Sequence, residues 1–194
     1  NQVVIVGGGA SGLMAAITCQ RQGMQVLILE QKDRVGKKIL ATGNGKCNFT
    51  NLEQKDACYR SSQTSFPKKA LQQFGAIDTV LFFEKLGVLV KERNGYLYPY
   101  SGQAATILDA LYYEAKRLGV HMECGCRVDH IKKKDGLFEI KYGDKTVTAR
   151  KVILSAGGKA SPAQGSDGSG FLLAKALGHH TTKLCPALTG LKAK

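Results

Sequence analysis

The six residues Gly7-Gly8-Gly9-Ala10-Ser11-Gly12 constrain this chain more than anything that follows them. They interrupt a short apolar run, Val3-Val4-Ile5-Val6, and lead into a segment with Leu13, Ala16 and Ile17 on one helical face. Val26-Leu27-Ile28-Leu29 comes next and ends in Glu30. Strand, glycine turn, helix, strand, acid is the order of a dinucleotide-binding βαβ unit. Gly7 allows the tight turn out of the strand. Gly9 has no Cβ to hold the backbone away from a pyrophosphate, and Gly12 lets the helix pack close to the sheet. The helix start, including Ala10 and Ser11, aims backbone N–H groups and the positive dipole end at the phosphates. The carboxylate of Glu30, followed by Gln31, stands where ribose hydroxyls can donate to it and where a 2′-phosphate is repelled. This motif alone does not separate FAD from NAD.

Length and composition set the frame for that unit. A chain of 194 residues holds one sizeable core, or one domain and part of another. With 43% hydrophobic and 22% charged residues it reads as globular rather than disordered. No apolar run reaches the ~20 residues that span a bilayer, and no secretory signal is visible. The formal net charge of +13 is compatible with an anionic partner. The lysines are scattered, however (Lys37-Lys38, Lys68-Lys69, Lys132-Lys133-Lys134, Lys192, Lys194), without an arginine-rich segment or aromatic ladder. A solvated basic surface is therefore favoured over a nucleic-acid interface. The six cysteines show neither zinc spacing nor a C-x-x-C pair, so no metal site is expected. Cys124 and Cys126 are expected as small buried thiols at a strand end, and reduced thiols point to the cytoplasm.

Further along, a loop rich in Gly, Lys, Asn and Thr runs to about Asn51. Short helices are expected around Pro67–Phe74 and Ile77–Leu86. A hairpin of Val88–Val90 and Tyr96–Tyr98 is expected to turn at Asn94-Gly95. The spacing of Ile107, Leu108, Leu111 and Ala115 predicts a helix from about Gln103 to Leu118, stopped by Gly119. Val120–Cys124 reads as a third parallel strand. Arg127–Lys133, Leu137–Tyr142 and Thr146–Ala149 read as an antiparallel meander, and Lys151–Ser155 as a fourth parallel strand. A glycine-serine loop and a helix over about Phe171–Leu177 complete the pattern. His121 and His130 fall in strands and His179 and His180 after a helix end, so none is assigned a catalytic role.

A βαβ, a crossover helix, a third strand and a meander that returns to a fourth strand resemble the two-dinucleotide-binding flavoproteins of the glutathione-reductase class. In those proteins a later apolar strand ends in small residues beside the flavin. Val152-Ile153-Leu154-Ser155-Ala156-Gly157-Gly158 stands in that place here. This resemblance implies FAD, and an α/β Rossmann-like FAD-binding fold of the glutathione-reductase type with a β-meander crossover. Val128, at the start of the meander, matches the position whose backbone pairs with adenine in that class.

Three further stretches resemble one family, the bacterial HI0933-like flavoproteins related to aminoacetone oxidase and to the bile-acid 3-dehydro-Δ4,6-reductase. The first is Gly36-Lys37-Lys38-Ile39-Leu40-Ala41-Thr42-Gly43-Asn44-Gly45-Lys46-Cys47-Asn48-Phe49-Thr50-Asn51, which is similar to G-R-K-x-x-x-S-G-G-G-R-C-N-x-T-N. The second, Tyr98-Pro99-Tyr100-Ser101-Gly102-Gln103-Ala104, is similar to F-P-x-S-x-x-A. The third runs from Gly157 to Gly170 with Gly178-His179 after it, and Pro186-Ala187-Leu188 fits the family's P-A-L. Departures are Lys37 and Lys46 for Arg, Thr42 for Ser, Asn44 for Gly, Asp167 for Thr and Ser169 for Asp. Asn tolerates left-handed geometry better than other non-glycine residues.

On physical grounds Lys37 and Lys38 can face a pyrophosphate as point charges. Thr42, Gly43, Asn44 and Gly45 offer backbone N–H groups in a loop that permits close approach to a ring or phosphate. Cys47 has no partner cysteine near it in sequence and is expected to pack rather than react. Asn48, Ser155, Ala156 and Gly157 complete the cofactor-binding set that the resemblance implies. Residues 1–194 then read as the N-terminal portion of an FAD-binding domain, with an inserted substrate domain and a closing FAD segment expected elsewhere. The expected activity is flavin-mediated hydride or electron transfer with a small organic substrate, and NAD(P)H or O2 as second substrate. A flavin-dependent tRNA-modifying enzyme and a non-catalytic flavin- or nucleotide-binding module remain as alternatives.

Overall fold

A computed structural model describes residues 2–59 and 66–185. Pro186-Ala187-Leu188, Lys192 and Lys194 lie outside the described residues. The chain divides into two compact units, one made of residues up to Val35 and from Leu118 onward, the other of Gly36–Arg117.

The first unit opens with β1 (Val3–Val6), α1 (Ala10–Arg21) and β2 (Val26–Glu30). Every residue of both strands is buried. Strands covered on both faces are apolar throughout rather than alternating. Helix α1 buries Gly12, Leu13, Ala16 and Ile17 and packs against β1 and β2.

The second unit contains β3 (Thr50–Asn51), α2 (Lys68–Gln73), α3 (Ala76–Lys85), β4 (Val90–Arg93), β5 (Tyr96–Pro99) and α4 (Ala104–Arg117). The expected hairpin is present, with Asn94 and Gly95 both at positive φ, 54° and 81°. Its first strand begins at Val90 rather than Val88, and its second extends to Pro99. The loop after Glu30 is more ordered than its composition suggests. It contains short 3₁₀ turns within Ile39–Gly45, broken by non-helical backbone at Thr42, Gly43 and Asn44, and ends in β3, which pairs with β5 to make a three-stranded sheet in the order β3-β5-β4. Helix α4 buries the expected Ile107, Leu108, Leu111 and Ala115. Glu114 is buried as well, its carboxylate held by Arg117 through two bonds of 2.7 and 3.0 Å.

The chain re-enters the first unit with β6 (His121–Cys124), then β7 (Val128–Lys134), β8 (Leu137–Tyr142), β9 (Lys145–Ala149), β10 (Lys151–Leu154) and α5 (Ser169–Ala176). Strands β6, β2, β1 and β10 form one parallel sheet in the order β10-β1-β2-β6. The meander β7-β8-β9 leaves the β6 edge and delivers the chain to β10 on the opposite edge. Val4, Val6, Leu27 and Leu29 share one sheet face and pack with Val128, Ile131, Ile140 and Tyr142 of the meander and with Leu173 of α5. This is the expected Rossmann-like α/β architecture with the meander crossover. Among the described residues no helix is long and apolar enough to cross a membrane.

Candidate functional site

The glycine turn is built as the sequence predicts, for reasons that differ from residue to residue. Gly7 has φ +101° and donates its N–H to the Leu29 carbonyl at 2.8 Å. A Cβ at Gly7 would stand 2.6 Å from the Ser155 carbonyl oxygen, so the turn must be bare for β10 to end beside it. At Gly12 a Cβ would land on the Gly7 carbonyl oxygen, which explains the close seating of α1 against the turn. At Gly9 a Cβ would meet nothing within 4 Å. That open space lies at the start of α1, where no side chain caps the helix, no acid stands in the first turn, and Ala10 and Ser11 are exposed. The first-turn N–H groups of a helix have no intrahelical acceptor. An uncapped, open helix start of this kind fits a pyrophosphate. Gly8 received no task from the sequence. It is buried, and a Cβ there would be 2.6 Å from Val35 Cγ1.

Glu30 is buried and has two neighbours within the chain. The Gly8 N–H donates to Oε2 at 2.7 Å, and the Lys32 N–H donates to Oε1 at 2.8 Å. Each carboxylate oxygen can accept more than one hydrogen bond, so capacity for ribose hydroxyls remains. Sequence reasoning assigned Glu30 a ribose role only; its bonds to the Gly8 and Lys32 N–H groups were not foreseen. The strand register accounts for it: Val6 pairs with Leu29, which sets Glu30 opposite the Gly7-Gly8 turn.

The end of β10 closes the same cradle. Ser155 donates its N–H to the Val6 carbonyl at 2.8 Å, and its hydroxyl lies 2.8 Å from the Gly7 carbonyl oxygen. The hydroxyl thus stitches β10 to the turn. Ala156 packs on the core, and Gly157, at φ +75°, comes so close to Ser166 that a Cβ would lie 2.5 Å from its Oγ. Val128 is buried at the first position of β7, opposite Tyr142, and a register shift follows it. Gln31 donates from Nε2 to the Gly165 carbonyl at 2.7 Å and accepts from Arg127 Nη1 at 3.0 Å. The same Arg127 nitrogen reaches Asp167 Oδ2 at 2.8 Å, and Asp167 Oδ1 accepts the Ser169 N–H at 3.0 Å. Hydrogen bonds from Ser169, with Arg127 alongside, hold the Asp167 carboxyl well below the usual carboxylate range. Sequence reasoning assigned nothing to Arg127 or Asp167, whose meeting across 40 positions leaves no local signal.

The second unit brings Thr42, Gly43, Asn44, Gly45 and Cys47 into one tight loop. Gly43, Asn44, Gly45 and Cys47 have φ of 55°, 53°, 80° and 54°. The Cys47 N–H donates to the Thr42 carbonyl at 3.0 Å, and the Thr42 hydroxyl donates to the Ile39 carbonyl at 2.6 Å. A Cβ on Gly43 would lie 3.0 Å from the Asn48 nitrogen. Thr42 to Lys46 are exposed, and Lys37 and Lys38 are half-buried. Cys47 is buried, and burial pushes its thiol pKa up despite an opposing hydrogen bond with Thr42. A neutral buried thiol is a poor nucleophile, as its packing role requires. Its left-handed backbone was not foreseen. The expectation of buried thiols at Cys124 and Cys126 is corrected: Cys124 is exposed and Cys126 half-buried. Cys124 is the last residue of the edge strand β6, and Cys126, two residues beyond it, packs partly against the core that the meander covers.

Residues 1–191 match the family described as the HI0933-like protein Rossmann domain. The chain belongs to this family. Over its whole length it is 46% identical to a 3-dehydro-bile acid Δ(4,6)-reductase from Clostridium scindens, of which it covers 48%. It is 30% identical to a ribosomal RNA dihydrouridine synthase from Escherichia coli, over 90% of this chain and 44% of that protein. The chain thus spans about half the length of the curated relatives it matches. Among solved structures, a 3-ketosteroid-Δ4-(5α)-dehydrogenase from Rhodococcus jostii aligns with a TM-score of 0.66 at 20% identity, over 91% of this chain and 53% of that one. A flavocytochrome c3 fumarate reductase aligns with a TM-score of 0.62 at 20% identity, over 90% and 40%. These two show the fold. The cofactor of this HI0933-like Rossmann domain is FAD.

Proposed function

We propose that this chain is the FAD-holding part of a flavoprotein oxidoreductase that adds hydrogen across a carbon–carbon double bond conjugated to a carbonyl. The observation that carries the reading is the 46% identity, across the full chain, to a reductase of 3-dehydro-bile acids. The second relative is named for making dihydrouridine, which is also the saturation of a double bond next to a carbonyl. Both names describe one reaction class on different substrates. A steroid-like enone is the first substrate to test, with NAD(P)H as electron donor.

In this reading the residues of the first unit do the holding. The α1 start, with Gly9 left open, receives the pyrophosphate. Glu30 accepts the ribose hydroxyls and rejects a 2′-phosphate, and the Val128 backbone meets the adenine. Ser155 keeps β10 tied to the glycine turn so that Ala156 and Gly157 present a small, bare surface. The assignment of Lys37, Lys38, Thr42–Gly45, Cys47 and Asn48 to the same cofactor is supported by the family resemblance of their loop. Bound FAD supplies two-electron transfer, and the protein supplies position and electrostatics.

Anaerobic titration of the full-length protein with NADH and NADPH, followed by a 3-oxo-Δ4 steroid, tests this directly. The reading expects bleaching of the flavin absorbance by one of the nicotinamides and its return on addition of the enone. A flavin that neither nicotinamide reduces rules out NAD(P)H as the donor, and a reduced flavin that the enone does not reoxidise while a uridine-containing ribosomal RNA does replaces the steroid with RNA as the substrate. That second outcome has one observation behind it, the 30% identity to an RNA-modifying enzyme in a chain of net charge +13.

A further inference from the structure

We propose that Arg127 and Asp167 form a latch that holds the 158–168 loop beside the adenosine half of the cofactor and thereby sets how long FAD stays bound. The proposal rests on the reading that Gly7–Gly12 and Glu30 hold FAD.

The loop begins at Gly158, four residues after the end of β10, and returns at Gly168, the residue before α5. Its two ends meet: the Gly168 N–H donates to the Gly158 carbonyl at 3.1 Å. Its waist is closed by Ser161 and Ser166, whose backbones exchange bonds of 3.4 and 3.0 Å. The loop thus closes on itself, and two side chains from outside it, Gln31 and Arg127, bond to it. Gln31 donates to the Gly165 carbonyl at 2.7 Å, and Arg127 reaches Asp167 at 2.8 Å while also donating to Gln31 at 3.0 Å. Gln31 is the residue after Glu30, and Arg127 is the residue before Val128. Both pins thus come from the two places that meet ribose and adenine, at the carboxyl edge of the sheet where ligands of α/β folds bind.

An isolated surface ion pair contributes little. This one differs in three respects. The Asp167 side chain is only 24% exposed, its second oxygen caps the first turn of α5 through Ser169, and Arg127 is shared with Gln31. Removing either charge releases the loop from Arg127. A loop that must be ordered each time the cofactor binds lowers affinity and speeds release. Arg127 and Asp167 are positioning residues here. They act through the loop and through Gln31.

The variants that separate the roles are Asp167→Asn, which keeps an amide oxygen for the Ser169 N–H while losing the ion pair, and Arg127→Gln. They are made singly and together in the full-length protein. FAD release is timed by trapping, and ADP, which reports the adenosine half alone, is titrated into cofactor-free protein. Each single variant is expected to release FAD about tenfold faster and to bind ADP correspondingly more weakly, with the double variant no worse than either single. Arg127→Lys should recover part of the loss. Lys132→Gln, which removes the 2.8 Å ion pair to Glu139 in the meander, should leave release unchanged. Unchanged release in both latch variants, additive effects in the double variant, or an equal effect of Lys132→Gln overturns the latch. A wild-type protein that binds neither FAD nor ADP overturns the cofactor reading itself, and the latch with it.

Discussion

Replacing Glu30 by Ala should destabilise the protein even when no cofactor is bound. The carboxylate accepts two backbone N–H bonds, from Gly8 and Lys32, and hydrogen bonds to charged groups are worth ~1.5–3 kcal/mol each. The two losses are unequal. Gly8 is buried, so its N–H is the harder of the two to rehydrate once the carboxylate is gone. Lys32 is half-buried, and its N–H can be rehydrated. Counting the first bond in full and the second in small part gives a loss of ~2–4 kcal/mol. At ~2–4 °C per kcal/mol for a protein of this size, the midpoint should fall by roughly 5–15 °C. Thermal unfolding of the cofactor-free full-length protein, followed by circular dichroism, measures this. Glu30→Gln keeps one acceptor oxygen and should fall between wild type and Glu30→Ala. FAD affinity should drop by a further tenfold to hundredfold, roughly, from the lost ribose bonds. A Glu30→Ala midpoint within about 2 °C of wild type would refute the structural half of this argument.

Three shorter predictions follow from the same geometry. Gly12→Ala gains ~1 kcal/mol of helix propensity but places its Cβ on the Gly7 carbonyl, so the variant should purify less stable and largely free of flavin; a stable, yellow variant would contradict the packing. Asp167 has its folded pKa depressed, so its contribution to stability is present above the ordinary carboxylate pKa of ~3.9 and is lost as pH falls below it toward the folded value. Acid titration should therefore show wild type losing stability below pH ~4 more steeply than Asp167→Asn, and parallel curves would count against the Asp167 network. Mild alkylation followed by peptide mass mapping should label exposed Cys58 well before buried Cys47, whose thiol pKa burial raises; early modification of Cys47 would show that its loop opens.

The βαβ unit, the meander and β10 were legible in the sequence because local signals specify them. The strands are apolar runs bounded by glycine, and the turns at Asn94-Gly95 and Asp135-Gly136 adopt the positive φ those residues favour. Gly7, Gly12 and Glu30 were assigned correctly to their elements for the same reason. The rest depends on contacts between distant residues. Strand β3 is two residues long and is a strand only because β5 pairs with it. The left-handed backbone at Cys47 is set by the closure of the Thr42 loop, not by any preference of cysteine. The second duty of Glu30, the stitch made by Ser155 and the meeting of Arg127 with Asp167 all depend on which strand ends are neighbours. Their composition gives no hint of it.

The central claim is that the Gly7–Gly12 turn and Glu30 hold FAD. The most direct test is to purify the full-length protein, release its cofactor by heat and identify and quantify it by chromatography against FAD, FMN, NAD and NADP standards. The account predicts FAD, in a ratio approaching one per chain, with the Gly12→Ala protein nearly empty. Recovery of NAD or NADP, of FMN alone, or of as much FAD from the Gly12→Ala protein as from wild type would contradict it.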